Sequence, residues 1–244
     1  MIPEHRFKDF LRDIWRKVQR RTRFPAVGNI QLGSLDRVTP VSSNWGFDRG
    51  QPVDRYYIEN FLDLSRDHIA GRVLEVANNT YTRRFGGNAV TRSDILHDAP
   101  GHSRATVVAD LSAPEAAPGN EYDCIICTQT LQLIYDISPA IQSLHKMLKP
   151  GGTLLLTVPG ITAISREDMD RHGDFWRFTS ASIERALQDV FGADGVVVKA
   201  FGSVYAATAF LHGLVVDELD RNKLDFFDPD YQVLLAASAR KRTG

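Results

Sequence analysis

The sequence predicts an α/β fold with a doubly wound, mostly parallel sheet. Three observations carry that prediction. Strand-like and helix-like segments alternate from residue 72 to the end of the chain. The strands "CIIC", "TLLLTV" and "GVVV" are apolar without a break, as strands covered by helices on both faces must be. The helical segments end in glycine stops, at "LKPGG" and at Gly192, which return the chain to the sheet.

In chain order, residues 4–24 carry Phe7, Phe10, Leu11, Ile14, Trp15 and Val18 at helical spacing, with arginines and lysines on the other faces. This basic amphipathic helix is expected to pack on its own domain or on a second subunit, so it is the place where a homodimer would form. Residues 24–50 are irregular but keep Trp45 and Phe47, and residues 43–57 are expected to form a lid. Asp54 can start a helix that buries Tyr57, Ile58, Phe61 and Leu62 and stops at Gly71. Strands follow at 72–77, 89–94, 105–109, 122–128, 152–158, 196–201 and 231–239, with helices at 138–148 and 180–191. The expected division is an N-terminal helix and lid over 1–53 and one domain over 54–244.

With 244 residues and a formal net charge of −1, the chain lacks the basic excess that a general nucleic-acid coat requires. No apolar run approaches the roughly 18 residues of a membrane span, and the N-terminus lacks a signal-peptide apolar region, so a cytoplasmic protein is expected. Cys124 and Cys127 are spaced C-x-x-C. On a strand, an offset of three sends the two thiols to opposite faces, where they can share neither a disulfide nor a metal.

In an open α/β sheet the ligand lies beyond the carboxyl ends of the strands. The residues expected there are Ala77, Asn78 and Asn79 after the first strand, Asp94 closing the second and Asp110 closing the third. Thr128 and Gln129 close the fourth. Asp94 follows Glu75 by 19 residues, the separation at which an acid can accept both hydrogen bonds of a ribose diol. The first turn, "ANN", has no glycine, which argues against a dinucleotide. Asparagine is the non-glycine residue most at ease with positive φ, so Asn79 is expected to make that turn.

Beyond the fifth strand, "SREDMDRHGDFWRFT" places Asp168, Asp170, His172 and Asp174 in one loop. His172 is the candidate general base. The acids could alternatively hold magnesium, but alternating acids in a loop are usually solvated, and no metal is assigned. Trp176 could offer a platform to a sugar ring. Arg49, with Asp174 and Trp176, is a candidate for contacting the acceptor.

From residue 54 to 240 the sequence resembles the class I S-adenosylmethionine-dependent methyltransferases. The pieces that carry the resemblance are "VLEVA", "VTRSDIL", "VVADLS", the stretch from Glu121 to Pro159 and the late "GDFWRFTSASIERAL". The resemblance implies a Rossmann-like seven-stranded sheet with the last strand antiparallel. S-adenosylmethionine is the implied cofactor, with Glu75 ordering the first loop and Asp94 on the ribose. Asp110 and Leu111 would hold the adenine, and Thr128 and Gln129 would line the methionine side. Tyr57, at the end of the expected lid, is a candidate for the cofactor carboxylate or the substrate. The family has acid-x-Gly-x-Gly-x-Gly where this chain has Ala77, Asn79 and Tyr81. The function expected is O-methylation of a small polyhydroxylated acceptor, sugar-like or a natural product. N- or C-methylation is a second possibility within the enzyme class. A binding or scaffold module that has lost transfer is the alternative from another class.

Overall fold

The computed structural model describes residues 12, 14–19 and 25–243. The chain divides into one compact unit up to Pro40 and another from Val41 onward, so residues 41–53 cluster with the larger unit. Of the expected N-terminal helix, Arg12 and residues 14–19 are helical, and Ile14, Trp15 and Val18 are exposed. The remainder of 4–24 lies outside the described residues.

The larger unit is built on a seven-stranded sheet of β1 (Gly71–Val76), β2 (Val90–His97), β3 (Val107–Val108), β4 (Tyr122–Thr128), β5 (Leu148–Pro159), β6 (Val196–Phe201) and β7 (Leu234–Arg240). Their order is β3-β2-β1-β4-β5-β7-β6, and only β7 runs antiparallel to its neighbours. The chain winds outward from β1 to β3, then crosses back to place β4 on the other side of β1. The switch point, and therefore the ligand crevice, falls between the tips of β1 and β4.

Helix α1 (Val53–Leu64) buries Val53, Tyr57, Ile58, Phe61 and Leu62 on one stripe and packs on one face of the sheet with α5 (Val204–Leu211). Helices α2 (Ile137–Met147) and α4 (Ser180–Phe191) cover the other face. Helix α4 is closed at its start by a capping box between Thr179 and Ser182 and at its end by Gly192 at φ 81°. A short helix, α3 (Arg166–Arg171), lies in the loop after β5. Alternation along β4 sends Cys124 and Ile126 to the first face and Ile125 and Cys127 to the second. Both thiols are free and buried. Among the described residues, no helix is long and apolar enough to cross a membrane.

One expectation fails here, with consequences for the site. Strand β2 does not end at Asp94. It continues through the buried Ile95 and Leu96 to His97, and Asp94 pairs in register with Leu74 inside the sheet. Arg72 Nε donates to its carboxylate at 2.8 Å, Thr106 Oγ1 at 2.9 Å, and Arg92 adds a third contact. Arg72 also lies over the Tyr122 ring. The charge is neutralised in place, so the strand tolerates it and runs on.

Candidate functional site

A cleft of about 1330 Å3 opens over the tips of β1, β2, β3, β4 and β5. It exceeds the roughly 300–1,000 Å3 of a typical single-ligand pocket, which leaves space for two molecules side by side. Ala77, Asn78, His97, Asp98, Asp110, Leu111, Thr128 and Gln129 line its sheet side.

The turn after β1 is made without glycine and at a cost. Ala77 sits at φ 71°, a region that costs an L-residue about 1–2 kcal/mol. Two neighbours hold it there. Its N–H donates to Leu96 O at 3.0 Å, and His97 Nε2 lies 3.1 Å from its carbonyl oxygen, the imidazole acting as donor. His97 is itself stacked on His102, with ring centroids 3.8 Å apart. Beyond the turn, the buried Glu75 carboxylate accepts from the backbone N–H of Tyr81 and Thr82 and from Thr82 Oγ1, at 3.1, 2.7 and 2.7 Å. That fastens the π-helical turn Thr82–Gly86 to the strand. Burial pushes the Glu75 carboxyl above the usual range, against the pull of those bonds. Gln129, at the tip of β4, is a second strained residue, at φ 51°. Two such outliers on adjacent strand tips mark a site where the surrounding structure enforces geometry.

The opposite wall comes from two segments. Residues 43–52 are moored to the end of α5 and the turn after it. Val41 and Ser42 N–H donate to His212 O, Val216 N–H donates to Gln51 O, and Arg49 pairs with Glu218. Trp45 and Phe47 face the cleft from this segment, followed by Asp54 and Arg55 at the start of α1. Burial raises the Asp54 carboxyl, which accepts the Arg55 N–H at 2.7 Å and has the Arg55 guanidinium 3.9 Å away. The second segment is the loop after β5. It crosses the crevice and brings His172 Nδ1 within 3.6 Å of Asp98, the residue following β2. Arg177 grips Asp174 through two bonds of 2.7 and 2.8 Å, and Ser165 N–H donates to it at 2.9 Å. Burial raises that carboxyl, but these bonds and the arginine charge carry it below the usual range. The loop is thus stapled to itself.

A model of a methyltransferase domain matches residues 55–191, more than half of the chain. The chain belongs to this methyltransferase family. Its sheet order and switch-point cleft are those of the class I S-adenosylmethionine-dependent enzymes. Comparison with curated proteins by sequence finds no significant match. Among solved structures, the cyclase SpnF is similar at 15% identity, with 80% of this chain and 84% of that one covered and a TM-score of 0.50. The phosphoethanolamine N-methyltransferase 2 of Haemonchus contortus is similar at 15% identity, covering 82% and 56%, also at 0.50. At these identities the likeness concerns the fold.

Within the methyltransferase, the structure gathers Ala77, Asn78, Asp110, Leu111, Thr128, Gln129, His172 and Asp174 on the cleft, while Glu75 stands behind its turn. The other candidates lie elsewhere. Asp94 is inside the sheet. Asn79 does not take positive φ; its side chain donates to Ser93, and Ala77 makes the turn instead. Tyr57 is a core residue whose hydroxyl donates to Leu224 O and whose ring stacks on Phe201. Arg49 is spent on Glu218. Trp176 donates its indole N–H to the carbonyls of Ile134 and Tyr135, bracing the rim instead of lining it. Among the described residues, no three His, Cys, Asp or Glu side chains are grouped to hold a metal. Sequence reasoning missed Asp98 as the acid at the tip of β2. The signal was present in the apolar Ile95-Leu96 after Asp94, which continues the strand.

Because Ala77 occupies a glycine conformation, Ala77→Gly is expected to stabilise the chain by about 1 kcal/mol. Ala77→Val should destabilise it and weaken S-adenosylhomocysteine binding, since a β-branched residue resists positive φ. Thermal unfolding of the two variants checks this, and a destabilised glycine variant would show that Ala77 is not strained.

Proposed function

We propose that this methyltransferase methylates a hydroxyl oxygen of a small polyhydroxylated acceptor, sugar-like or a natural product, with His172 as the base. The observation that carries the reading is the His172–Asp98 pair on the wall of a cleft large enough for cofactor and acceptor.

The residues present suit S-adenosylmethionine. The positive φ of Ala77 reproduces the bend a glycine would give, and a cofactor without pyrophosphate demands less bare backbone than a dinucleotide. Asp98, in place of Asp94, would accept from the ribose diol, and a carboxylate has lone pairs to spare for His172. Asp110 and Leu111 would hold the adenine. Asp54 and Arg55, one acid and one base side by side on the cleft wall, match the ammonium and carboxylate of an amino-acid end. Bound there, the cofactor supplies an electrophilic methyl group on a leaving group that needs no acid. The protein therefore has to align the acceptor oxygen and take its proton. Asp98 faces His172 Nδ1 at 3.6 Å, wider than a direct hydrogen bond, and Nε2 is the nitrogen that would receive the hydroxyl proton.

Calorimetry with S-adenosylhomocysteine tests the cofactor half. The wild type should bind, and Asp98→Ala should lose about 1.5 kcal/mol or more. A wild type that does not bind would turn the reading to a module without transfer. For the acceptor half, a panel of polyols, phenols and amines is incubated with methyl-labelled cofactor. Label is expected on oxygen, and to be lost in His172→Ala with S-adenosylhomocysteine affinity kept. Label on nitrogen would sink the assignment.

A further inference from the structure

Two side chains on the cleft wall hold polar atoms that no protein group satisfies. Gln129 and Gln132 both follow the tip of β4, and both line the cleft. Gln129 Nε2 is buried and donates to nothing, and Gln132 Oε1 is buried and accepts from nothing. Buried amide atoms are nearly always paired, because leaving one unpaired forfeits its hydration. Gln129 adds a strained backbone at φ 51°. An unpaired donor, an unpaired acceptor and backbone strain thus fall within one four-residue stretch.

The resemblance sets Gln129 on the methionine side of the cofactor, beside but not at the cofactor's amino-acid end. That end falls at the β1 turn, facing Asp54 and Arg55. Gln132 instead joins the loop after β5, its carbonyl accepting Phe175 N–H at 2.8 Å. We propose that Gln129 and Gln132 together bind an uncharged hydroxyl of the acceptor, which donates to Gln132 Oε1 and accepts from Gln129 Nε2. This rests on the methyl-transfer reading and names the chemistry its acceptor site selects. An ammonium group has only donors and would leave Gln129 unpaired. A carboxylate or phosphate has only acceptors and would face Gln132 Oε1 with repulsion. A hydroxyl offers both. Two of the charged pairs around the cleft are closed on themselves, Asp174 on Arg177 and Glu59 on Arg84, so the selection rests on the donor and acceptor of the two amides.

The test uses the full chain and Gln132→Met, which keeps the volume and removes the unpaired oxygen. The thermal midpoint of the ligand-free variant is expected to rise by about 2–4 °C. A fall would mean that the amide is paired in the free protein, and would overturn the proposal. S-adenosylhomocysteine affinity should change by less than about tenfold; a larger loss would assign the pair to the cofactor and overturn it equally. Glucose, glucosamine and glucuronate, matched in shape, are then titrated into the S-adenosylhomocysteine-loaded wild type by saturation-transfer NMR. Glucose should bind about tenfold better than either charged sugar and should lose that advantage in Gln132→Met. A charged sugar binding as well as glucose, a glucose advantage surviving in the variant, or no glucose binding would each overturn it. Failure of the underlying reading shows separately, as a wild type that does not bind S-adenosylhomocysteine.

Discussion

Replacing Asp94 with alanine is expected to lower the stability of the folded chain by about 3 kcal/mol while S-adenosylhomocysteine affinity in the folded fraction holds. The carboxylate is almost fully buried, and removing it strands Arg72 over the Tyr122 ring and leaves the Thr106 hydroxyl hydrogen without its acceptor. Breaking a buried pair from one side costs more than the pair contributes when intact, because the remaining charge stays desolvated. Arg72 keeps its contact with Glu121, which places the cost at the lower end of the range for such changes. The same network sets an acid limit. Burial alone would raise the Asp94 carboxyl, but the bonds from Arg72 and Thr106 and the charges of Arg72 and Arg92 hold it below the usual range. A lowered acid contributes stability that is complete above its unfolded value of about 3.9 and is lost as pH falls through the folded value. Acid unfolding followed by circular dichroism should therefore be steeper in the wild type than in Asp94→Asn below about pH 4. Equal acid limbs, or a large loss of S-adenosylhomocysteine affinity without loss of stability, would return Asp94 to the binding site.

Glu75→Ala is expected to damage both stability and binding. One buried carboxylate accepts three hydrogen bonds from the turn that follows β1. Bonds to a charged acceptor contribute about 1.5–3 kcal/mol each and are not additive, so a total loss above about 3 kcal/mol is expected. With the turn released, the segment that carries Asn78 keeps only its bonds to Leu96, His97 and Ser93, and S-adenosylhomocysteine affinity should fall by about a hundredfold. Thr82→Val, which removes only the hydroxyl bond, should cost about half as much stability as Glu75→Ala. Hydrogen exchange reports the cause directly. The Tyr81 and Thr82 amides should exchange rapidly in Glu75→Ala, and continued protection there would show that the turn stands without its anchor.

Much of this was legible in the sequence, and the parts that were legible share a physical reason. Continuous apolar runs, glycine stops and capping residues act through local periodicity and backbone preference, so they fixed the alternating order, the helix ends and the opposite facing of Cys124 and Cys127. The strand tips carrying Ala77, Asp110 and Thr128 could be placed the same way. Where each residue's partners are distant in sequence, the tertiary structure decided. Asp94 reads as a strand-ending acid until Arg72 and Thr106 are brought beside it, after which its charge costs little inside the sheet and the end of β2 moves to His97. Asn79 is the residue whose own preferences suit positive φ, yet Ala77 takes it, because His97 and Leu96 from the neighbouring strand hold its peptide groups. Arg49, Tyr57 and Trp176 carry groups able to bind a ligand, but Glu218, Leu224 and Ile134 claim them. A sequence states what each side chain can offer a ligand. Whether the offer is still open depends on which neighbours the fold has already put within its reach.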